Sequence, residues 1–223
     1  MSAHLPTAVL WDMDGTIVDT EPLWVDAQRA LLAEFGLPQF DEISEEALVG
    51  AGMHETAMLF QRAGVPLSAT EIVEFVVEGV ASRLPNELDW RPGAVELLAE
   101  LHEVGVPLAL VTNSPRDMAL LVVEGLPAGT FATIVGADDV TRGKPHPQPY
   151  LLGAERLGVA PTSACVVIED SSHGLRSGAA AGMTTVGIPH GARLTSADAD
   201  VLLPTLAGVR ANDLFDHVMA VSA

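Results

Sequence analysis

The stretch Val9-Leu10-Trp11-Asp12-Met13-Asp14-Gly15-Thr16 runs from apolar residues directly into two carboxylates and a Gly-Thr turn. Side chains on an extended strand alternate between its faces, so Asp12 and Asp14 start towards the same face. A turn after Asp14 can bring both to the carboxyl edge of a parallel sheet, where open α/β sheets bind ligands. Two neighbouring carboxylates repel each other unless a cation or a shared proton offsets their charge. The stretch therefore predicts a strand that ends in a chemical site rather than in a solvated turn.

Length and composition limit the class of protein. The 223 residues suffice for one domain of ordinary size with a substantial insertion. No apolar run approaches the roughly 20 residues that cross a bilayer. We expect a cytoplasmic protein, because residues 1–7 show no secretory signal and the single cysteine, Cys165, excludes an internal disulfide. We expect Cys165 to be a small core residue, because it begins an apolar run.

The formal net charge of −19 disfavours nucleic acid and anionic membranes as partners. An anionic small ligand would need positive charge concentrated at one place. The chain contains one lysine, Lys144, and ten arginines. The single lysine is therefore a residue to place relative to the carboxylates.

Apolar periodicity predicts two regions of different architecture. Residues 20–88 show only helical patterns, at about 22–35, 44–49, 54–63 and 68–84, the last with a capping box at Ser68-x-x-Glu71. After Trp90, strand and helix patterns alternate. Strands are predicted at about 107–112, 133–135, 164–168, 184–187 and 200–203, and helices at about 94–104, 118–124, 149–157, 174–181 and 211–221. We therefore expect an α/β fold: a Rossmann-like parallel sheet core of residues 1–19 and 89–223, with an inserted all-helical domain of residues 20–88.

Polar residues follow the predicted strands at their carboxyl ends, which point the same way in a parallel sheet. Taken singly these segments are ambiguous, because Thr112-Asn113-Ser114 also suits a helix cap and a lysine is usually solvated. Their order and joint placement favour a phosphate site beside a hard-cation site. The segments are Asp12 and Asp14, Thr112-Asn113-Ser114, Lys144, and Glu169-Asp170-Ser171-Ser172, with His190 in a later loop.

Four segments of the sequence resemble, in order, the four motifs of the haloacid dehalogenase-like hydrolase superfamily. They are Asp12-Met13-Asp14-Gly15-Thr16, Thr112-Asn113-Ser114, Lys144-Pro145 and Glu169-Asp170-Ser171-Ser172-His173-Gly174. The resemblance covers nearly the whole chain, and residues 20–88 look like the small helical cap of that superfamily. The segment WDMDGTIVDTEPLW, residues 11–24, is most similar to sequences of the branch that contains small sugar-phosphate phosphatases and β-phosphoglucomutase.

The resemblance implies a role for each motif. Asp12 would attack phosphorus and form an aspartyl-phosphate, Asp14 would act as general acid and then as general base, and Lys144 would stabilise developing charge. Two further sets of contacts are implied. The phosphoryl oxygens would be held by Thr112, Asn113 and Ser114, and Mg²⁺ by Asp12, the Asp14 backbone carbonyl and Asp170, with Glu169 among the ligands or beside them.

The helical region would choose the substrate by closing over the site on hinges near residues 18–21 and 87–91. Candidate substrate-facing residues are Glu21, Trp24 and Gly50-Ala51-Gly52-Met53. Trp24 is equally compatible with the core of the helical region, and the glycine pair with a turn. β-Phosphoglucomutases carry a histidine where Trp24 stands, an arginine near Met53 and a further lysine in this region. Residues 20–88 contain no lysine, which favours hydrolysis over mutase activity.

The sequence thus predicts a Mg²⁺-dependent phosphatase of a small phosphorylated metabolite, such as a sugar or polyol phosphate. We expect a monomer or weak homodimer that binds neither nucleic acid nor membranes. A sugar phosphomutase similar to β-phosphoglucomutase is the nearest alternative. A non-catalytic sensing module on the same fold is a second alternative, and the intact Asp12, Asp14, Lys144 and Asp170 disfavour it.

Overall fold

The computed structural model of the chain describes residues 5–37, 53–160, 162–191 and 193–222. The chain divides into two compact units, one of residues 1–19 and 89–223 and the other of residues 20–88. Within the described ranges, no helix combines the length and the apolar character needed to cross a membrane.

The first unit contains a parallel sheet of six strands among its described residues. The strands are β1 (Ala8–Trp11), β2 (Leu108–Val111), β3 (Thr133–Val135), β4 (Cys165–Glu169), β5 (Thr184–Gly187) and β6 (Val201–Leu202). Their order in the sheet is β3-β2-β1-β4-β5-β6, and every neighbouring pair is parallel. Strands β1, β2 and β4 are buried along their whole length, which explains their continuous apolar sequences. The predicted α/β fold with a Rossmann-like parallel core is confirmed.

The helices are numbered in chain order. The second unit holds α1 (Glu21–Glu34), α2 (Met53–Arg62) and α3 (Ala69–Arg83), and the first unit holds α4 (Ala94–Glu103), α5 (Arg116–Val123), α6 (Gln148–Leu157), α7 (Ser172–Ala180) and α8 (Ala211–Ser222). Short 3₁₀ turns at Leu84–Asn86, Ala137–Asp139 and Thr162–Ala164 were not predicted. The helix predicted at 44–49 lies outside the described residues.

Two helices begin two residues earlier than their apolar pattern predicts. Helix α5 begins directly after Pro115, whose extended backbone precedes the first turn. Helix α7 begins at Ser172 because the Ser171 hydroxyl accepts a hydrogen bond from the Gly174 N–H and caps the helix. Apolar periodicity detects neither start, because Pro115 and Ser171 lie outside the apolar pattern of the helices that they precede.

Helix α6 packs against β1, β2 and β3 and covers the core on one face of the sheet. A Cβ atom on Gly153 would lie 2.9 Å from a Leu10 methyl carbon, so only glycine lets the helix lie this close to the sheet. The same core contains Cys165, which is buried as predicted, and burial raises the pKa of its thiol. The position of α6 matters for the site because its third residue is Tyr150.

In the second unit, α3 packs against both α1 and α2. Helices α1 and α3 approach closely where a Cβ on Gly79 would lie 3.0 Å from the Cβ of Ala27. The predicted capping box is present at the start of α3, with the Ser68 hydroxyl accepting from the Glu71 N–H. All the described elements of this unit are helical, as the sequence pattern predicts.

The chain segments that lead out of the first unit and back into it lie side by side. The Asp19 N–H donates to the Asp89 carbonyl at 2.8 Å, and the Arg91 N–H donates to the Ile17 carbonyl at 2.8 Å. Val18 and Trp90 form an antiparallel bridge between these bonds. The two connections are therefore joined through their backbones within the first unit.

Candidate active site

The turn after β1 fixes the first predicted carboxylate at the edge of the sheet. Asp12 is 6% exposed and its backbone N–H donates to the Ile168 carbonyl of β4. Its Oδ2 accepts a hydrogen bond from the Thr16 hydroxyl at 2.9 Å. Gly15 has a φ of +79°, and a Cβ there would lie 2.1 Å from the Asp170 Oδ2. The turn therefore needs glycine both for its backbone conformation and for the carboxylate beside it.

Asp14 lies against the residues that follow β2. Its Oδ2 accepts hydrogen bonds from the Thr112 hydroxyl at 3.0 Å and from the Ser114 hydroxyl at 2.8 Å. The Thr112 Oγ1 also accepts from the Ser114 N–H, which orders this short segment. The structure thus brings the first two predicted motifs into direct contact, with two hydroxyls orienting the second carboxylate.

The loop that carries Lys144 is tied to the end of β2 by Asn113. The Asn113 side-chain oxygen accepts from the Lys144 backbone N–H at 3.0 Å, and its amide donates to the Lys144 carbonyl at 3.5 Å. A Cβ on Gly143 would lie 2.8 Å from that side-chain oxygen, so the close approach requires glycine. In this structure the Asn113 side chain therefore positions the lysine backbone.

Lys144 is a buried residue, with its side chain 3% exposed. Its Nζ donates to the Asp12 Oδ1 at 2.6 Å, to the Glu169 Oε1 at 2.6 Å and to the Val111 carbonyl at 2.8 Å. An ammonium group has three N–H donors, so these three acceptors use all of them. The only lysine of the chain thus links the ends of β1, β2 and β4.

Glu169 is held by four hydrogen bonds, two to each carboxylate oxygen. Oε1 accepts from the Lys144 Nζ and from the Tyr150 hydroxyl at 2.9 Å. Oε2 accepts from the Ser171 N–H at 3.1 Å and from the Ser171 hydroxyl at 3.0 Å. The residue is 0% exposed, so these bonds replace the hydration that burial removes.

Asp12, Glu169 and Asp170 form a cluster that can hold a metal ion. One carboxylate oxygen from each lies within 4.8 Å of the others. Burial, followed by repulsion from Asp12 and Glu169, raises the pKa of Asp170 well above its ordinary value. Oxygen-only ligands and unbalanced negative charge suit a hard divalent cation such as Mg²⁺. The donor set of this cluster therefore fits the predicted cofactor.

Burial and the surrounding charges also change the pKa values of the central ion pair. Burial, and then repulsion from Glu169, raises the pKa of Asp12 from 3.8 to about 7. Burial alone would lower the pKa of Lys144, but attraction to Asp12 and Glu169 raises it above its ordinary value. The lysine is therefore charged at neutral pH, and one ammonium faces three carboxyl groups.

The structure brings together the predicted site residues of the first unit, which are Asp12, Asp14, Thr112, Asn113, Ser114, Lys144, Glu169 and Asp170. His190 lies close by, with its Nε2 3.1 Å from the Asp19 Oδ1 and its ring next to Gly15. The predicted substrate residues Glu21, exposed, and Trp24, half-buried, lie on α1 of the second unit. Residues 50–52 lie outside the described residues.

Three residues at the site were not predicted: Thr16, Tyr150 and Ser171. Thr16 and Ser171 lie inside the quoted motifs, but the sequence pattern assigns no role to their hydroxyls. Tyr150 is the only tyrosine of the chain and follows Lys144 by six residues. A buried tyrosine needs a partner for its hydroxyl, and this is the signal that could have identified it.

Known proteins are similar to this chain over most of its length. The family described as haloacid dehalogenase-like hydrolase matches residues 9–188. A phosphoglycolate phosphatase of Xanthomonas campestris is 32% identical over 90% of this chain and 93% of its own length. Hexitol phosphatase A of Escherichia coli is 35% identical over 80% of this chain and 81% of its own. The crystal structure of CbbY from Rhodobacter sphaeroides in complex with phosphate superposes with a TM-score of 0.82, at 30% identity, covering 92% of this chain and 96% of that one.

Proposed function

Because the chain belongs to the haloacid dehalogenase-like hydrolase family, we propose that it is a Mg²⁺-dependent phosphatase that hydrolyses a small phosphorylated metabolite through an aspartyl-phosphate. One observation carries this proposal. The ammonium of Lys144 lies 2.6 Å from Asp12, and the Asp14 carboxyl accepts a hydrogen bond from Thr112 at the end of the neighbouring strand β2. A carboxylate nucleophile, a second carboxyl and a buried cation are the groups that a two-step phosphoryl transfer requires.

In the first step a carboxylate oxygen of Asp12 forms a bond to phosphorus while the bond from phosphorus to the leaving oxygen breaks. Asp14 donates its proton to that leaving oxygen, so the product leaves as an alcohol. In the second step Asp14 takes a proton from water as the water oxygen attacks phosphorus. The bond to Asp12 then breaks, and inorganic phosphate is released with the carboxylate restored.

Lys144 holds the Asp12 carboxylate as an ion pair before the reaction and balances the charge that develops on the phosphoryl oxygens. The hydroxyl of Thr112 and the backbone around Asn113 and Ser114 are proposed to bind those oxygens. Mg²⁺ would be held by Asp12, Asp170 and the Asp14 carbonyl, and when bound it would offset part of the negative charge of the phosphoryl group. The four hydrogen bonds to Glu169 favour a place for it beside these ligands rather than among them.

Residues 20–88 are proposed to act as the cap that selects the substrate, with Glu21 and Trp24 on its first helix as candidate contacts. The names of the relatives, phosphoglycolate phosphatase and hexitol phosphatase A, support a small organic phosphate such as a sugar or polyol phosphate. The only lysine of the chain lies at the site, and its positive charge suits a small anionic ligand.

The charges of residues 20–88 favour hydrolysis over a phosphomutase reaction. A mutase must bind a bisphosphate, and therefore needs cations for a second phosphate. This region has no lysine and three arginines. Arg83 is paired with Asp26 at 3.0 Å and with Glu87 at 2.7 Å, and Arg29 lies 3.8 Å from Asp26. With β-glucose 1-phosphate we expect release of inorganic phosphate rather than formation of the 6-phosphate.

The proposal is tested by phosphate release from p-nitrophenyl phosphate, followed by a panel of phosphorylated sugars, polyols and glycolate. We expect turnover with Mg²⁺, loss of turnover with a chelator, and no turnover by Asp12→Asn. Asp200→Asn is the matched control, because Asp200 accepts bonds from Thr185 at the opposite edge of the sheet. No hydrolysis of any compound by the unaltered protein, or an active Asp12→Asn variant, would contradict the proposal.

A further inference from the structure

Tyr150 lies in contact with the reactive groups but has no part in the chemistry proposed above. It is 0% exposed and lies in the first turn of α6. Its hydroxyl donates to the Glu169 Oε1 at 2.9 Å, and the Lys144 Nζ lies 5.0 Å from the centroid of its ring. One side chain thus contacts both partners of a buried ion pair.

Resting on the proposed function, we infer that Tyr150 is a positioning residue that holds Glu169 and, through it, the Lys144 ammonium against Asp12. Its hydroxyl and its ring act on different partners. The two contributions can therefore be separated by substitution.

The hydroxyl fixes the rotation of the Glu169 carboxylate. Oε1 receives donors from Lys144 and Tyr150, and Oε2 receives two donors from Ser171. A phenol is a neutral donor, so it satisfies the carboxylate without adding a second cation to compete for Asp12. Without this hydroxyl, Lys144 is the only donor to Oε1 that is left among the described residues, and we expect the ammonium to move from Asp12 towards Glu169.

The ring acts on Lys144 directly. A lysine ammonium within about 6 Å of an aromatic ring centroid is attracted by the negative face of the ring, and the attraction is stronger where water is excluded. The Lys144 side chain is 3% exposed, so this contact is dry. The three N–H donors are directed at Asp12, Glu169 and the Val111 carbonyl, and the ring supports that one orientation without needing a hydrogen bond.

The inference predicts a defect in turnover rather than in substrate binding. Residues that orient reactive or ligating groups typically change activity by about tenfold or more when they are replaced. We expect Tyr150→Phe, which keeps the ring, to lower kcat for p-nitrophenyl phosphate by about tenfold, with KM changed less than about twofold because Tyr150 is fully buried. Tyr150→Leu loses the ring as well, and should lower kcat further.

Thr185→Val is the matched control. Thr185 is 2% exposed and its hydroxyl also donates to a carboxylate, the Asp200 Oδ2 at 2.9 Å, but at the amino end of β5. This variant also loses a buried hydroxyl, so we expect it to lose about as much stability as Tyr150→Phe does. It should keep the kcat of the unaltered protein. If Thr185→Val and Tyr150→Phe lower kcat equally, Tyr150 has only a structural role and the inference is wrong.

The sequence offers a second measurement that needs no substrate. Because Lys144 is the only lysine, ¹⁵N-labelled lysine gives an NMR spectrum whose side-chain signal reports on this ammonium alone. Tyr150→Phe should move that signal and speed the exchange of its N–H hydrogens with water, whereas Thr185→Val should leave both unchanged. An unmoved lysine signal in Tyr150→Phe overturns the inference, whatever happens to kcat.

A third measurement applies if both Tyr150 variants fail to fold. Tyr150 is the only tyrosine, so biosynthetic fluorotyrosine changes the acidity of this hydroxyl alone and keeps the packing. The lysine signal should then shift, and an unshifted signal overturns the inference. A protein with no phosphatase activity but with a lysine signal that responds to Tyr150 would contradict the proposed function while supporting the contacts. A protein with phosphatase activity whose lysine signal does not respond to Tyr150 would support the proposed function and contradict the inference about Tyr150.

Discussion

Asp12→Asn should abolish turnover and, without divalent cations, stabilise the protein at neutral pH. Burial and repulsion from Glu169 raise the pKa of Asp12 from 3.8 to about 7. The folded protein therefore binds a proton that the unfolded chain releases, so the stability of the folded state falls as pH rises from about 4 to about 7. A difference of about three pKa units corresponds to about 4 kcal/mol once both forms are ionised.

Replacing Asp12 with asparagine removes the free-energy cost of ionising this buried side chain at neutral pH. It also removes one hydrogen bond. Asp12 accepts hydrogen bonds from Thr16 and Lys144 on its two oxygens, and an amide has only one oxygen. One lost hydrogen bond costs about 1 kcal/mol. The variant should therefore exceed the unaltered protein in free energy of unfolding by about 3 kcal/mol at pH 8 and by about 1 kcal/mol at pH 5.

Urea unfolding at pH 5 and pH 8, in a chelator, measures this difference. Asp200→Asn is again the control, because it removes a carboxylate that contacts Thr185 rather than Lys144 or Glu169. Added Mg²⁺ should stabilise the unaltered protein more than Asp12→Asn, because the ion needs the carboxylate. A variant that is no more stable than the unaltered protein at pH 8, or a gain equal at both pH values, would refute the reasoning.

Three other predictions each concern a single further substitution. Asp170→Asn should weaken Mg²⁺ binding about 10- to 100-fold in calorimetry, and an unchanged affinity would remove Asp170 from the metal site. Hydrogen bonding from Arg156 lowers the pKa of Asp139 to about 2, so its stabilising effect is present above about pH 4 and is lost towards pH 2. Asp139→Asn should accordingly lower the free energy of unfolding by about 1–2 kcal/mol at pH 7, and an unchanged value would contradict the ion pair. A Cβ on Gly174 would lie 1.6 Å from the Glu169 Oε1. Gly174→Ala should therefore lower the free energy of unfolding in urea by about 1–3 kcal/mol and should also lower kcat. Unaltered stability and kcat would show that Glu169 can move aside.

The sheet and the convergence of the motifs could be predicted from sequence for a simple reason. Strands that are buried on both faces have continuous apolar sequences, and β1, β2 and β4 are such strands. Because parallel strands share one carboxyl edge, the polar residues after each run had to meet. The roles of those residues are a separate matter and stay proposals that the variants above test.

The contacts of Tyr150 and Glu169 could not be predicted in the same way. They depend on how closely α6 lies against the sheet, which is set by Gly153 against Leu10. Apolar periodicity gives the face of a helix but not its distance from the sheet or the direction of one hydroxyl. The early start of α5 follows Pro115 and that of α7 depends on the Ser171 cap, and neither residue belongs to an apolar periodic pattern.

The position of β1 in the strand order affects how the chain can be made. Val9 pairs with Leu108 on one side and with Val166 on the other, so β1 leaves the ribosome well before either of its neighbours. Contacts of such large sequence separation form slowly, and an apolar strand without partners is prone to aggregate. Translation must pass Glu169 before Asp12 can meet its full set of partners, and a product that stops earlier would lack both the complete sheet and the complete site.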